Sequence, residues 1–226
     1  MTTDESGTSC AGEDPYALFL QTGHGPVYLR LTDGRQTRMP AHRWHAPPTA
    51  ADETVLKRCV SPVLDIGCGP GRLCRELLSR GAFALGVDIA PRAVAQTTAL
   101  GGIAVCRSVF DRLPAEGAWQ TVLLADGNIG IGGDPRALLG RCIELIAPMG
   151  VVLVEVDPDG VEELCTAWFE DIYGRKGPPF PWARLGAPAL HRIAKDLALS
   201  VTDQWRYSHR CFLALAHQGS PSSHPN

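Results

Sequence analysis

From residue 63 onward, short leucine-rich or β-branched runs alternate with stretches of helical period. Val63-Leu64-Asp65-Ile66 reads as a strand, and residues 71–80 follow with Leu73, Leu77 and Leu78 on one helical face. The alternation continues with a strand over 83–88, a helix over 91–100, a strand over 103–106 and another over 121–125. Asp134 as N-cap and Pro135 in the first turn open a helix through Leu138, Leu139, Cys142, Ile143 and Ile146, which Pro148-Met149-Gly150 ends. Residues 151–156 are an unbroken apolar run, the pattern of a strand buried on both faces. The repeat predicts a doubly wound α/β sheet of five parallel strands with right-handed crossovers. Beyond it, Val161, Leu164, Cys165, Trp168, Phe169 and Ile172 fall at helical spacing, opposed by Glu162, Glu163, Glu170 and Asp171, and predict one more helix. A proline- and aromatic-rich loop from Tyr173 to Leu185 and a helix over 188–198 come next. Two β runs, 199–207 and 211–216, are joined by a turn short enough to demand an antiparallel pair. They bring the mostly parallel sheet to seven strands with an antiparallel C-terminal hairpin.

The segment before residue 55 follows another pattern. Residues 1–13 are small, polar and acidic and are expected to be a disordered tail. Residues 14–54 hold a short helix around Tyr16, Leu18, Phe19 and Leu20. A β-hairpin over 27–39 turns at Asp33-Gly34. A proline-punctuated loop over 40–48 and a helix over 50–59 lead into the first core strand. About sixty residues are too few for an independent domain here, so 14–54 are expected to cap the ligand edge of a domain spanning 55–216. Residues 217–226 are a second tail.

Composition narrows the class without naming it. The 226 residues carry 21 Lys and Arg against 24 Asp and Glu, a net charge of −3. That is no electrostatic footprint for nucleic acid, which shows as a basic domain. Arg72, Arg75 and Arg80 share one helix and read as surface positions. None of the eight cysteines forms a Cys-x-x-Cys pair or a zinc-like spacing with histidine. The amino terminus lacks the charged and apolar regions of a signal peptide, and no apolar run has membrane-spanning length. The expectation is a cytoplasmic protein with reduced cysteines, without nucleic-acid or membrane partners, acting as a monomer or homodimer.

The chemistry-bearing stretch is Asp65-Ile66-Gly67-Cys68-Gly69-Pro70-Gly71, a glycine turn between a strand and a helix. Such turns let the backbone approach a ligand closely, and the helix that follows aims free N–H groups at it. The dinucleotide fingerprint needs Gly-x-Gly-x-x-Gly/Ala, and counted from Gly67 its third small residue would fall on Arg72. That reading fails in its own register. Asp88 closes the second strand 17 positions after Gly71, where a carboxylate can accept hydrogen bonds from ribose hydroxyls or cap the next helix.

The Asp-Ile-Gly-Cys-Gly-Pro-Gly run, Asp88, the terminal hairpin and the Pro148-x-Gly150 turn resemble the class I S-adenosylmethionine-dependent methyltransferases over residues 55–216. The resemblance implies S-adenosylmethionine as cofactor and S-adenosylhomocysteine as product. It places Gly67, Cys68, Gly69 and Gly71 against the methionine part, Asp65 near the amino group and Asp88 on the ribose, with Ile89 packing on adenine. Asp126 and Gly127 would lie near the methionine moiety and the transferred methyl. Around Val109 the adenine amino group would meet either Ser108 or Asp111. The family's Asn/Asp-Pro-Pro-aromatic signature for amide and DNA-base acceptors is absent; Asp126-Gly127-Asn128 stands there instead.

Methyl transfer from a sulfonium is an in-line displacement that needs alignment and exclusion of water, plus a base for hydroxyl or protonated amine acceptors. His42 and His45, flanking Trp44 in the segment above the site, are the catalytic candidates, and Asn128 could orient an acceptor. Trp44, Tyr173, Phe180 and Trp182 are candidates for an acceptor pocket under an aromatic lid. No metal constellation stands out; Asp157 and Asp159 beside Pro158 and Gly160 read as turn residues. The reaction expected is methyl transfer to an oxygen, nitrogen or carbon of a small molecule. Methylation of RNA or protein, or a regulator that binds the cofactor without turnover, are the alternatives.

Overall fold

The computed structural model describes residues 15–22, 25–39 and 42–218; the expected tail at 1–13 and residues 219–226 of the one expected at 217–226 lie outside the described residues, while His217 ends the last strand of the core sheet. The core is a seven-stranded sheet. Strands β3 (Val63–Ile66), β4 (Ala84–Asp88), β5 (Ala104–Cys106), β6 (Trp119–Leu124) and β7 (Ile146–Val156) run parallel. Strands β10 (Leu199–Tyr207) and β11 (Arg210–His217) form the antiparallel hairpin, and β11 pairs with β7. The order across the sheet is β10-β11-β7-β6-β3-β4-β5. The strand order reverses beside β3, so the crevice at the carboxyl ends of β3, β4 and β6 is the place where open α/β sheets bind ligands.

Both faces of this sheet are covered, as the continuous apolar strands require. On one face Ile66, Val122, Leu124, Val152 and Val154 pack with Leu138, Leu139 and Cys142 of α6 (Pro135–Leu145) and Leu190 of α7 (Ala187–Asp196). On the other, Leu123 and Leu153 meet Leu73 and Leu77 of α4 (Arg72–Ser79) and Val55 and Leu56 of α3 (Ala50–Leu56). Each fully buried leucine contributes roughly 1.5–3 kcal/mol. Helix starts follow local chemistry. Thr49 and Asp52 form a reciprocal capping box at α3, and Asp134 accepts from the Arg136 and Ala137 N–H groups at α6. The helix expected to run to Pro148 ends at Leu145 and passes straight into β7. There Gly150 is tight, because a Cβ would lie 2.7 Å from the Trp119 carbonyl oxygen.

The cap is a second, four-stranded antiparallel sheet in the order β2-β1-β8-β9. Strands β1 (Val27–Leu31) and β2 (Gln36–Arg38) are the expected hairpin. Strands β8 (Glu162–Asp171) and β9 (Phe180–Leu185) come from the other end of the chain. The helix expected over 161–172 is therefore a strand. Its apolar positions do not share a buried face, since Leu164 is 71% exposed. Its backbone pairs instead with β1 on one side and β9 on the other. The cap thus draws on residues 162–185 as well as on the N-terminal segment. Helix α1 (Pro15–Thr22) and the single turn α2 (His42–His45) complete it, and α5 (Pro91–Ala99) follows β4 in the core. Among the described residues no helix is long and apolar enough to cross a membrane.

Candidate active site

The glycine turn after β3 is held from three sides. Gly67 and Cys68 donate their N–H groups to the Val87 carbonyl, and Gly69 N–H donates to Asp88 Oδ2 at 2.9 Å. Asn128 Nδ2 donates to the carbonyls of Ile66 (2.8 Å) and Gly67 (3.0 Å), and Thr97 Oγ1 donates to Gly69 O at 3.0 Å. Two glycines are required by space as well as by positive φ. A Cβ on Gly67 (φ +70°) would lie 2.6 Å from Asn128 Nδ2, and one on Gly71 (φ +79°) 2.5 Å from Thr97 Cγ2. Asp88 also braces the loop into the next helix, its Oδ1 accepting from Ala90 N–H at 2.8 Å, but the helix has Ala90 as its N-cap and no side-chain cap.

Between this turn and the cap lies a cavity of about 820 Å³. Its core wall includes Asp65, Gly67, Cys68, Gly69, Asp88, Ile89, Ser108, Val109, Asp126 and Asn128, ten of the positions singled out in the sequence. Gly71, Asp111 and Gly127 are not on the wall. Of the two adenine candidates Ser108 faces the cavity, while Asp111 Oδ2 accepts from Ser108 N–H at 3.3 Å and braces it from outside. The cap wall is aromatic: Tyr16, Trp44, Phe169, Phe180 and Trp182. Their rings touch in sequence. Trp44 meets Tyr16 edge-on (5.8 Å), Tyr16 stacks on Phe169 (4.8 Å), Phe169 meets Phe180 (5.3 Å) and Phe180 meets Trp182 (5.9 Å). Tyr173, expected among them, is 77% exposed and outside the cavity; Tyr16 and Phe169 take that part.

The histidine expectation is corrected. Helix α2 turns Trp44 toward the cavity, and neighbouring helical side chains point about 100° apart, so His42 and His45 both miss it. His42 is exposed. His45 packs on Phe19 at 5.6 Å with Nδ1 3.4 Å from Gln96 Nε2. Burial, helped by the charge of Arg75, holds its pKa below the ordinary value. Asn128 spends both amide hydrogens on the turn and acts there as a brace.

A buried charge cluster underlies the cavity, and the sequence reading missed it. Asp126, with a left-handed φ of +52°, receives Arg72 Nη2 at 2.5 Å, Arg210 Nη2 at 3.2 Å and Arg43 Nη2 at 3.5 Å. Its N–H donates to Glu155 Oε2 at 2.6 Å. Arg210 also bonds Asp52 (2.7 Å) and Glu155 (2.6 Å), and Arg72 pairs with Asp52. Three guanidiniums thus face three carboxylates. Arg72, read as a surface position, is 6% exposed. Burial works against the Asp52 anion, but the bonds and charge of Arg72 and the bond from Arg210 outweigh it and hold its carboxyl well below the usual range. Asp65 behaves in the opposite way. Wholly buried, it is pushed up to about 7 by desolvation, with Asp126 and Asp88 adding to the rise and Arg72 opposing it. Burial also raises Asp88, against the backbone N–H bonds from Ala90 and Gly69.

These residues suit a cationic, adenosine-bearing ligand. The turn is open to close approach, Asp88 keeps lone pairs for hydroxyls, and the buried carboxylate of Asp65 is best relieved by a positive charge.

Comparison with known proteins agrees. A methyltransferase-domain family model matches residues 63–150. The chain is similar to trans-aconitate 2-methyltransferase of Methylobacterium nodulans, 30% identical over 187 residues, covering 81% of this chain and 67% of that protein. It is also similar to a ubiquinone biosynthesis O-methyltransferase of Neisseria meningitidis, 28% identical over 157 residues, covering 64% of this chain and 66% of that one. The chain therefore spans about two thirds of the length of these curated relatives. A solved structure of a methyltransferase from Bacteroides fragilis, in complex with S-adenosylhomocysteine, superposes with a TM-score of 0.75 at 18% identity. The match covers 89% of this chain and 92% of that one.

Proposed function

The chain belongs to the class I S-adenosylmethionine-dependent methyltransferases, and from that membership we propose that it methylates a small molecule whose planar, apolar body lies against the aromatic cap. The observation that carries this reading is the division of one cavity into two chemistries. Its core wall sets glycine backbone and the carboxylates of Asp65, Asp88 and Asp126, with Arg72, Arg92 and Arg107, among apolar groups; its cap wall is a run of touching aromatic rings with no charged side chain among them.

In this reading Asp88 holds the ribose hydroxyls, Ile89 and Val109 flank the adenine, and Ser108 Oγ accepts from its amino group. Asp65 faces the ammonium of the methionine end, and Gly67, Cys68 and Gly69 supply the backbone against which that end lies. Asp126 lies on the same side, bonded to Arg72, Arg210 and Arg43. When bound, the cofactor supplies a methyl group already activated by its sulfonium. The protein's own part is alignment and exclusion of water, which the cap provides by roofing the cavity. With His42 and His45 turned away, no histidine among the described residues lines the cavity. Acceptors that are already ionised, or whose proton can leave to solvent, are therefore favoured.

The test is turnover with methyl-labelled S-adenosylmethionine and a panel of phenols, aromatic amines and aliphatic polycarboxylates. Label transfer to planar aromatic acceptors, with S-adenosylhomocysteine formed in equal amount, supports the reading. Transfer confined to the flexible polycarboxylates would overturn the acceptor class. No transfer to any member, despite tight cofactor binding, would favour a binding protein without turnover.

A further inference from the structure

Among the described residues, Tyr16 of the cap reaches the glycine turn. Tyr16, on α1, is fixed by stacking on Phe169 (4.8 Å, rings 15° apart) and by the edge-on contact with Trp44 (5.8 Å, 78°). Its ring is therefore part of the acceptor wall. Its hydroxyl reaches across the cavity to the middle of the turn: a Cβ built on Gly69 would lie 3.9 Å from Tyr16 Oη. Gly69 is also the residue whose N–H is held by Asp88. The other apolar groups of the cap wall, Leu29, Met39, Phe169 and Phe180, carry no oxygen or nitrogen in their side chains.

We infer that Tyr16 is shared by the two halves of the site, its hydroxyl bonding the cofactor beside Gly69 and its ring supporting the acceptor. The inference rests on the methyltransferase reading and adds a residue that the glycine-turn pattern could not reveal. The hydroxyl can donate to a carboxylate or ribose oxygen, or accept from an ammonium, so it serves whichever polar group of the cofactor lies over Gly69. The aromatic stacking holds the ring whether or not the hydroxyl is satisfied. The two roles are therefore separable by mutation.

Calorimetry with S-adenosylhomocysteine, and fluorescence titration of the protein–S-adenosylhomocysteine complex with 2-naphthol, separate them. Tyr16→Phe keeps the ring and should weaken S-adenosylhomocysteine about tenfold, the loss of one hydrogen bond to a charged or strongly polar partner, with 2-naphthol affinity held. Tyr16→Ala should weaken both probes. Thermal unfolding of each variant checks that the fold is intact; a Tyr16→Leu variant replaces Tyr16→Ala if the latter does not fold. Wild-type affinity for S-adenosylhomocysteine in Tyr16→Phe would overturn the hydroxyl's role. Wild-type 2-naphthol affinity in the ring-deleting variant, or no 2-naphthol binding by the wild type, would overturn the ring's role. If the wild type itself does not bind S-adenosylhomocysteine, the underlying cofactor reading fails instead, which is a distinguishable result.

Discussion

Two carboxylates at the carboxyl edge of the sheet show how burial assigns different work to the same group. Asp88 is tied by Gly69 and Ala90 N–H groups and still has lone pairs facing the cavity. Asp88→Ala should lower S-adenosylhomocysteine affinity at least tenfold, since a hydrogen bond to a charged group is worth roughly 1.5–3 kcal/mol. Unchanged affinity by calorimetry would remove the ribose role. Asp65 has a raised pKa of about 7 in the folded protein, against 3.8 normally. A raised carboxyl favours the folded state while protonated. Its contribution to apoprotein stability is complete below about pH 4 and is lost as pH climbs through 7. A cation beside it favours the ionised form, so cofactor affinity should rise between about pH 4 and 7 while apoprotein stability declines. Asp65→Asn should flatten both trends, measured by calorimetry and thermal unfolding across that range; slopes that persist in the variant would exclude Asp65 as their source. At this scale the sequence was most informative about backbone. The glycine register excluded a dinucleotide site, and the turn is as tight as that register implies. Side-chain direction was not legible: the turn α2 carries Trp44 to the cavity and so turns both histidines away.

Elements are joined by two devices that local pattern does not reveal. The first is the segment Asn128–Gly133, whose glycines let β9 lie directly on it. A Cβ on Gly130 would sit 2.2 Å from the Ala183 carbonyl oxygen and 2.7 Å from the Trp182 ring. Gly130→Ala should therefore displace β9 and loosen the aromatic wall, costing roughly 1–3 kcal/mol in thermal or urea unfolding. Cofactor affinity should change less than twofold if the glycine turn is unaffected. The second is the cluster of Arg43, Arg72 and Arg210 with Asp52, Asp126 and Glu155, which ties α2, α3, α4, β7 and β11 together. Removing one partner strands a buried charge. Arg210→Met should cost roughly 3–5 kcal/mol in urea unfolding, several times the effect expected of a surface ion pair. Asp52 is held low, so its share of the stability is present from the ordinary carboxylate range upward and is lost only as pH falls into strong acid. The residues of this cluster are scattered along the chain at no periodic spacing. Only the fold brings them together.

Across the whole molecule, legibility follows the range of the interactions. The parallel core was readable because strands buried on both faces must be apolar throughout and their crossovers must be helical, constraints that act within about thirty residues. The terminal hairpin was readable for the same reason, its turn being too short for any other pairing. Strand β8 was not, because its partner β1 lies far away in the chain: Arg30 reaches Glu170 at 2.9 Å from the opposite end. Trp168, Phe169 and Cys165 could fall on a helix face as well as on a strand; β1 and β9 decide the matter. That same pairing sets the aromatic wall, so the cap side of the cavity depends on long-range contacts while the glycine-turn side depends on a local motif. The fold class and ten wall positions were therefore visible in the sequence, whereas the cap's shape, the charge cluster and Tyr16 were not.

The most direct test of the central claim is calorimetric titration of the full chain with S-adenosylhomocysteine and, separately, with NAD. The account predicts saturable binding of S-adenosylhomocysteine at one site per chain, weakened by Asp88→Ala, and no binding of NAD. Saturable NAD binding with no heat from S-adenosylhomocysteine would contradict it.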